Sequence, residues 1–134
     1  MLNEETIRIY NVSKDYINEK TREISKEIAR RYKTYKGKYE LQNLKNKIVI
    51  LTDDGIATGF TAKAAINYIK LQKPKKLILA VPVAPADFSK EIKKEVDEFA
   101  CLHSTNLFFS IGQFYENFPQ LTDEEVKLVM KKAQ

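Results

Sequence analysis

The stretch KIVILTDDGIATGFT, Lys47–Thr61, decides the fold of this chain. It opens with KIVILT, a short and almost continuous apolar run rich in β-branched side chains, which is typical of an interior strand of a parallel sheet. Two aspartates, two glycines and two threonines follow, and TAKAAINYIKLQK (61–73) then predicts a helix that ends before Pro74. Because ligands of such sheets bind at the carboxyl ends of strands, the loop is a candidate binding site.

Helical and strand patterns alternate along the rest of the chain. Residues 4–10 predict a short helix, and Ser13 is the expected N-cap of a long helix to about Tyr35. KLILAVPVA (76–84) predicts a second buried strand, PADFSKEIKKEVDEF (85–99) a helix, and ACLH (100–103) and LFFSIG (107–112) short strands. A capping box of Thr122 and Glu125 begins a closing helix. The alternation predicts an α/β layer fold with a mainly parallel sheet.

The composition limits the classes of protein to consider. The chain has 134 residues, of which 43% are hydrophobic and 31% charged, as expected for one globular domain with a real core. No apolar run is long enough to span a bilayer, and a single cysteine, Cys101, fits a reducing compartment, so we expect a cytoplasmic protein. The formal charge of +5 is dispersed among glutamates, which makes nucleic-acid binding unlikely.

The loop after the first strand combines acidic groups with an anion cradle. Gly55 and Gly59 allow backbone conformations and close approaches that a side chain forbids. The start of the next helix and the hydroxyls of Thr58 and Thr61 form a nest for a phosphate dianion. The run DDG, residues 53–55, could instead form an ordinary turn, which would explain Asp54 and Gly55. An acidic pair would repel phosphate, but it can accept hydrogen bonds from sugar hydroxyls or hold Mg²⁺ through water, so the order of the loop predicts a ribose 5-phosphate site.

VILTDDGIATGFT closely resembles the binding motif for phosphoribosyl pyrophosphate (PRPP) of type I phosphoribosyltransferases, in the form DDGIATG of a subgroup with unassigned substrate. AVPVAP and FYENFPQLTDEEV resemble the C-terminal portion of that subgroup, so the resemblance covers the whole chain as a single domain, residues 1–134. It implies a three-layer α/β/α fold and transfer of a 5-phosphoribosyl group to an unidentified acceptor, with Mg²⁺ accompanying PRPP.

The resemblance also implies a role for each residue of the motif. Asp53 and Asp54 match the catalytic acidic pair that holds the ribose hydroxyls, with Mg²⁺ bound through water or through those hydroxyls. Phe60 replaces a small residue in the phosphate loop, where we expect crowding rather than lost binding. The 5-phosphate loop matches Ala57, Thr58, Gly59, Phe60 and Thr61, and the acceptor side matches Val83, Ala84 and Pro85.

One departure from the family keeps alternatives open. Family members carry a further N-terminal part with the first strands and a pyrophosphate loop, and we expect this chain to correspond to the remaining half of the site. It would then be a transferase completed by a second copy or a separate polypeptide, or a PRPP- or nucleotide-binding module without activity. A receiver-like Mg²⁺ domain is a weaker alternative. Bare strand edges would favour at least a dimer, with an apolar interface that includes the long helix.

Several other residues that could carry chemistry are better explained as structural. Cys101 and His103 lack further ligands at useful spacing, so a core role is expected rather than a metal pair or a nucleophile. Phe114, Tyr115 and Phe118 could stack a base, but aromatic residues near the end of a chain more often complete a core.

Overall fold

The computed structural model describes residues 4–36 and 42–132 of the chain. The elements are α1 (Glu4–Ile9), α2 (Lys14–Lys36), β1 (Ile48–Thr52), α3 (Phe60–Leu71), β2 (Lys76–Pro85), α4 (Ala86–Ile92), β3 (Glu98–Thr105), a 3-10 helix (Ile111–Phe114) and α5 (Asp123–Lys132). They fall into two compact units. One comprises residues 42–118 and the other the described residues before 41 together with residues 119–132. None of the described helices is long and apolar enough to cross a membrane.

The first unit contains a three-stranded parallel sheet in the order β1-β2-β3. Val49 pairs with Leu77, Leu51 with Leu79, and Leu79 in turn with Phe99, so these side chains share one face of the sheet. Helices α3 and α4 supply Ile66, Ile69, Phe88 and Ile92 to the core on that face. The predicted α/β class with a parallel sheet is confirmed, whereas the prediction of one domain stays a prediction.

The opposite face of the sheet is apolar but exposed. Ile48 and Ile50 of β1 are 60% and 64% exposed, and Leu102 of β3 is 90% exposed. Ile50 pairs with Ile78, which is only half-buried. Burial alternates along β1 because only every second side chain meets the helices.

Two predicted elements of this unit are wrong in extent or type. The helix predicted over residues 85–99 ends at Ile92, because Asp97 forms hydrogen bonds with the backbone of strand β2. Its N–H donates to the Leu77 carbonyl (2.9 Å) and its carboxylate accepts from the Leu77 N–H (2.7 Å). The strand predicted over residues 107–112 is a loop leading into the 3-10 helix. There the Gln113 carboxamide accepts from the N–H groups of Phe109 and Ser110, which replaces ladder bonds.

The second unit contains α1, α2 and α5, and its caps agree with the sequence. Ser13 Oγ accepts from the Tyr16 N–H (3.2 Å), and Thr122 and Glu125 form the predicted reciprocal box. Asp123 accepts from Arg30 and from the Tyr35 hydroxyl, both at 2.6 Å, which joins α5 to α2. On the predicted stripe of α2, Ile24 and Ile28 are 58% and 53% exposed.

Candidate active site

The loop from Asp53 to Gly59 leaves the carboxyl end of β1 and encloses a small cavity of about 140 Å³. The cavity is lined by both aspartates, by the loop that follows them and by the first turn of α3, with one residue from the 3-10 helix: Asp53, Asp54, Gly55, Ile56, Ala57, Thr58, Gly59, Thr61, Ala62 and Ile111. The structure therefore brings the predicted acidic pair and phosphate loop together. Phe60 alone of the predicted phosphate loop is absent from the lining, and its side chain is 42% exposed.

The path of the loop depends on two buried glycines. At Gly55 a Cβ would lie 2.9 Å from Val83 Cγ1 and from Ile111 Cγ2, so a side chain does not fit without a shift. Gly59 has a φ of 75°, in the left-handed region, and a Cβ there would overlap the Phe88 ring. Since glycine alone meets both demands at little cost, the loop can pass this close to the sheet and to α4.

The start of α3 faces the cavity without a side-chain cap. Its N-cap is Gly59, which has no side chain to accept from the N–H groups of the first turn. The exposed hydroxyls of Thr58 and Thr61 lie in the same lining. Backbone donors, hydroxyl donors and the positive end of the helix dipole therefore meet at one spot, which is the donor set that binds a phosphate.

The two carboxylates differ in their surroundings. Asp53 Oδ1 accepts from the Asp54 N–H (3.0 Å), which fixes its side chain against the loop. Partial burial raises the pKa of the Asp54 carboxyl, and the adjacent charge of Asp53 raises it further. Both groups are exposed enough to reach a ligand. At neutral pH they present a patch of oxygen acceptors beside the donors of α3.

Two long-range hydrogen bonds hold the loop. The Ile56 N–H donates to the Val83 carbonyl of β2 (2.9 Å), and the Tyr115 hydroxyl donates to the Asp54 carbonyl (2.6 Å). The sequence predicts neither contact, and the core position that it favours for Tyr115 is wrong, because the side chain is 36% exposed. The GQFY segment carries only a weak signal for the Tyr115 contact, a polar residue followed by aromatic side chains.

A second cavity of about 450 Å³ borders the phosphate loop on the side of β3. It shares Ala57 and Thr58 with the first, and its other lining residues are Pro85, Ala86, Asp87, Thr105, Asn106, Phe108 and Phe109. Of the three residues predicted on the acceptor side, only Pro85 lines this cavity. Val83 and Ala84 are buried, at 2% and 0% exposure.

Cys101 is half-buried against the core, as predicted, whereas His103 is exposed, so the core role predicted for it is wrong. The Cys101 thiol donates weakly to the His103 carbonyl (3.3 Å), and the His103 ring packs against Phe114. Within residues 4–36 and 42–132 there is no group of three or more His, Cys, Asp and Glu side chains placed to hold a metal ion.

The chain is similar to known proteins in both sequence and fold. The family model of the phosphoribosyl transferase domain matches residues 5–116. Two proteins from two strains of Mycobacterium tuberculosis, each named "Putative phosphoribosyl transferase", are 34% identical over 133 residues, which is 99% of this chain and 30% of each relative. A crystal structure from Thermus thermophilus has a TM-score of 0.73 and 25% identity, over 94% of this chain and 60% of that one. The chain thus spans less than a third of the length of the two mycobacterial relatives.

Proposed function

The chain belongs to the phosphoribosyl transferase domain family, and from that premise we propose that its acidic loop binds PRPP for transfer of the 5-phosphoribosyl group. One observation carries the proposal: the acidic pair and the uncapped start of α3 line the same small cavity. A ribose 5-phosphate has hydroxyl donors at one end and a dianion at the other. The cavity offers acceptors and donors in the matching order.

The phosphate would bind at the first turn of α3. The N–H groups that follow Gly59 and the hydroxyls of Thr58 and Thr61 would donate to its oxygens. Phe60 would contribute mainly its backbone, since its side chain does not line the cavity. These contacts form before any reaction, so they serve to orient the sugar.

Asp53 and Asp54 would accept hydrogen bonds from the two ribose hydroxyls. Transfer breaks the bond between the anomeric carbon and pyrophosphate, and the acceptor nucleophile then bonds to that carbon. Positive charge develops on the ring in the transition state, and two fixed carboxylates beside the ring stabilise that charge. This is the role in which we count Asp53 and Asp54 as catalytic residues.

Mg²⁺ fits this site only in company with the substrate. Asp53 and Asp54 supply hard oxygen ligands, and the described residues contain no third carboxylate, histidine or cysteine grouped with them. Mg²⁺ retains several waters and commonly takes phosphate oxygens of a substrate as ligands. When bound with PRPP it would neutralise charge on the pyrophosphate.

The second cavity is the place that we propose for the acceptor. It is contiguous with the phosphate loop at Ala57 and Thr58, and Pro85, Phe108 and Phe109 give it an apolar wall. Its volume of about 450 Å³ is large enough for a small organic acceptor.

A binding module without transferase activity is the second candidate. The described lining of the acidic cavity contains no lysine, arginine or histidine. A leaving pyrophosphate requires cationic or donor groups, and this cavity has donors only at the 5-phosphate end. A PRPP-sensing domain would need the grip on ribose phosphate and nothing more.

Association is part of the proposal. The exposed side chains of Ile48, Ile50 and Leu102 on the sheet, and of Ile24 and Ile28 on α2, are apolar surface of the kind that partner chains cover. We propose at least a homodimer, or a complex with a separate polypeptide. A cytoplasmic location stays a prediction.

Calorimetry with ribose 5-phosphate and with PRPP, each with and without Mg²⁺, tests the binding. We expect saturable binding of both in the millimolar range or tighter, with Mg²⁺ strengthening the binding of PRPP. Ribose without the phosphate is the control and should bind far more weakly. Absence of any saturable signal at millimolar ligand would exclude the proposed site. Release of pyrophosphate from PRPP in the presence of candidate acceptors separates the transferase from the binding module.

A further inference from the structure

We propose that Tyr115 is a positioning residue that aims the acidic pair at the ribose, an inference that rests on the proposed function. Its hydroxyl donates to the main-chain carbonyl of Asp54 at 2.6 Å, across 61 residues of sequence. Tyr115 does not line the cavity, so it would act on the ligand only through Asp54.

The bond lies at the part of the loop where orientation matters. The carbonyl carbon of Asp54 is bonded directly to the Cα that carries the carboxylate side chain, so a hydrogen bond to this carbonyl restrains the position of that Cα. Gly55 is confined between Val83 and Ile111. The next residue, Ile56, donates its N–H to the Val83 carbonyl of β2. Without the tyrosine hydroxyl, the Asp54 carbonyl would lose this partner from outside the loop. The backbone at Asp54 could then shift, and the carboxylate would shift with its Cα.

Tyr115 is itself held on both sides. Its ring packs against Phe118 with centroids 5.1 Å apart, and its N–H donates to the Gly112 carbonyl at 3.2 Å. Phe118 in turn lies over Gly112, where a Cβ would be 3.2 Å from its ring. The preceding turn is fixed by a capping box between Ser110 and Gln113. These contacts hold the tyrosine hydroxyl beside the Asp54 carbonyl.

The phosphate donors do not depend on this bond. They belong to the first turn of α3 and to Thr58 and Thr61. These residues follow Ile56, whose N–H donates to the Val83 carbonyl and fixes the loop separately. A positioning role therefore predicts a selective loss: ligands that use the ribose hydroxyls should suffer, and inorganic phosphate should not. A merely structural hydrogen bond would weaken both ligands together or neither.

The test is Tyr115→Phe, which removes one oxygen and keeps the ring. Calorimetry gives the Kd of ribose 5-phosphate and of inorganic phosphate for the wild type and the variant, with the thermal midpoint of each protein alongside. We expect about a tenfold weaker Kd for ribose 5-phosphate, the usual effect of one lost hydrogen bond, and a Kd for phosphate within about twofold of the wild type.

Tyr35→Phe is the matched control, because it loses a tyrosine hydrogen bond of the same length, to Asp123 in the other unit. It should leave both dissociation constants unchanged. Phe118→Leu is the second variant. It loosens the ring that supports Tyr115 and should weaken ribose 5-phosphate binding in the same direction but by less.

The outcomes separate this inference from the proposed function. If the wild type binds neither ligand, the proposed site is wrong and this inference falls with it. If the wild type binds both and Tyr115→Phe leaves them unchanged, or weakens both by the same factor, the site stands and the positioning role is wrong. The positioning role is supported if the ratio of the Kd for ribose 5-phosphate to the Kd for phosphate changes in Tyr115→Phe and Phe118→Leu and not in Tyr35→Phe.

Discussion

The ring of Phe88 occupies the space into which any side chain at Gly59 would have to project. Gly59 also has a φ of 75°, a conformation that other residues adopt only at a cost. The loop that would bind phosphate is therefore built by a contact between α4 and the residue before α3, two elements on opposite sides of β2 in the sequence.

We expect Gly59→Ala to destabilise the protein by about 2–4 kcal/mol, since left-handed strain and a steric overlap add together. Urea unfolding measures the change. Phosphate binding should be lost in the same variant, because the first turn of α3 must move. Phe88→Leu removes the ring and leaves a smaller side chain. The double variant should therefore lose less unfolding free energy than the two single variants lose in total. Strict additivity would show that the overlap is not the cause.

The acidic pair should affect the binding of ribose 5-phosphate and of inorganic phosphate differently. Replacing Asp53 and Asp54 by Asn should weaken ribose 5-phosphate binding by about tenfold or more, because the charged acceptors for the hydroxyls are gone. Inorganic phosphate should bind equally well or more tightly, because two repelling charges are gone. Calorimetry reads both. Cys101→Ser and His103→Ala are the controls, and an equal loss in either would place the site elsewhere.

Asp54 also makes binding depend on pH. Its pKa lies above the usual 3.8, because burial and the charge of Asp53 disfavour the ionised form. Ribose 5-phosphate binding should therefore fall as the pH decreases through this raised pKa, and Asp54→Asn should remove that part of the profile. Calorimetry across the acid range locates the midpoint. A profile that is unchanged in the variant would contradict the assignment.

The same shift has a consequence for stability. A carboxyl whose pKa is raised by folding stabilises the fold while protonated, and this contribution is lost as the pH rises through the folded-state pKa. At neutral pH ionised Asp54 therefore opposes folding, and Asp54→Asn should raise the thermal midpoint at pH 7. The gain should vanish below pH 3.8, the usual pKa, where the carboxyl is protonated in both states. A lower midpoint at pH 7 would contradict this.

Asp123 should behave in the opposite way. Hydrogen bonds from Arg30 and then Tyr35 lower its pKa from 3.8 to about 2. Its stabilising contribution is therefore present above pH 3.8 and is lost as the pH falls through about 2. Asp123→Asn should lower the thermal midpoint at pH 7 by a few degrees at most, since the pair is largely solvated, and less so in high salt. Glu124→Gln, in the same turn of α5, is the control and should change the midpoint less.

The exposed sheet face predicts association. Light scattering should give at least a dimer at micromolar concentration, and Ile50→Glu should dissociate it if this face is covered by the partner. Ile50 is 64% exposed, so the substitution disturbs little within one chain. Leu71→Glu is the matched control, because Leu71 is also an exposed apolar residue, at the end of α3, and should leave the assembly intact. A stable wild-type monomer would contradict the proposal.

The sequence by itself determined the elements whose signals are local. The apolar run before Asp53 predicts β1, Ser13 predicts the start of α2, and the Thr122–Glu125 box predicts the start of α5, because each depends on residues within a few positions of one another. The same holds for the loop after β1. Its glycines, threonines and acidic pair are contiguous, so their order could be read directly as a candidate phosphate and ribose site.

Only the tertiary structure decided the features in which distant residues compete with local preference. The helical pattern after Pro85 continues past Ile92, but the helix ends there. The two hydrogen bonds between Asp97 and Leu77 pair this segment with a buried strand, which outweighs the local preference of Lys93, Lys94 and Glu95 for a helix. The Tyr115 hydroxyl reaches Asp54 across 61 residues, and the Phe88 ring selects glycine at position 59. Periodicity and capping report on neighbours in the chain, whereas these contacts exist only once the sheet has brought its strand ends together.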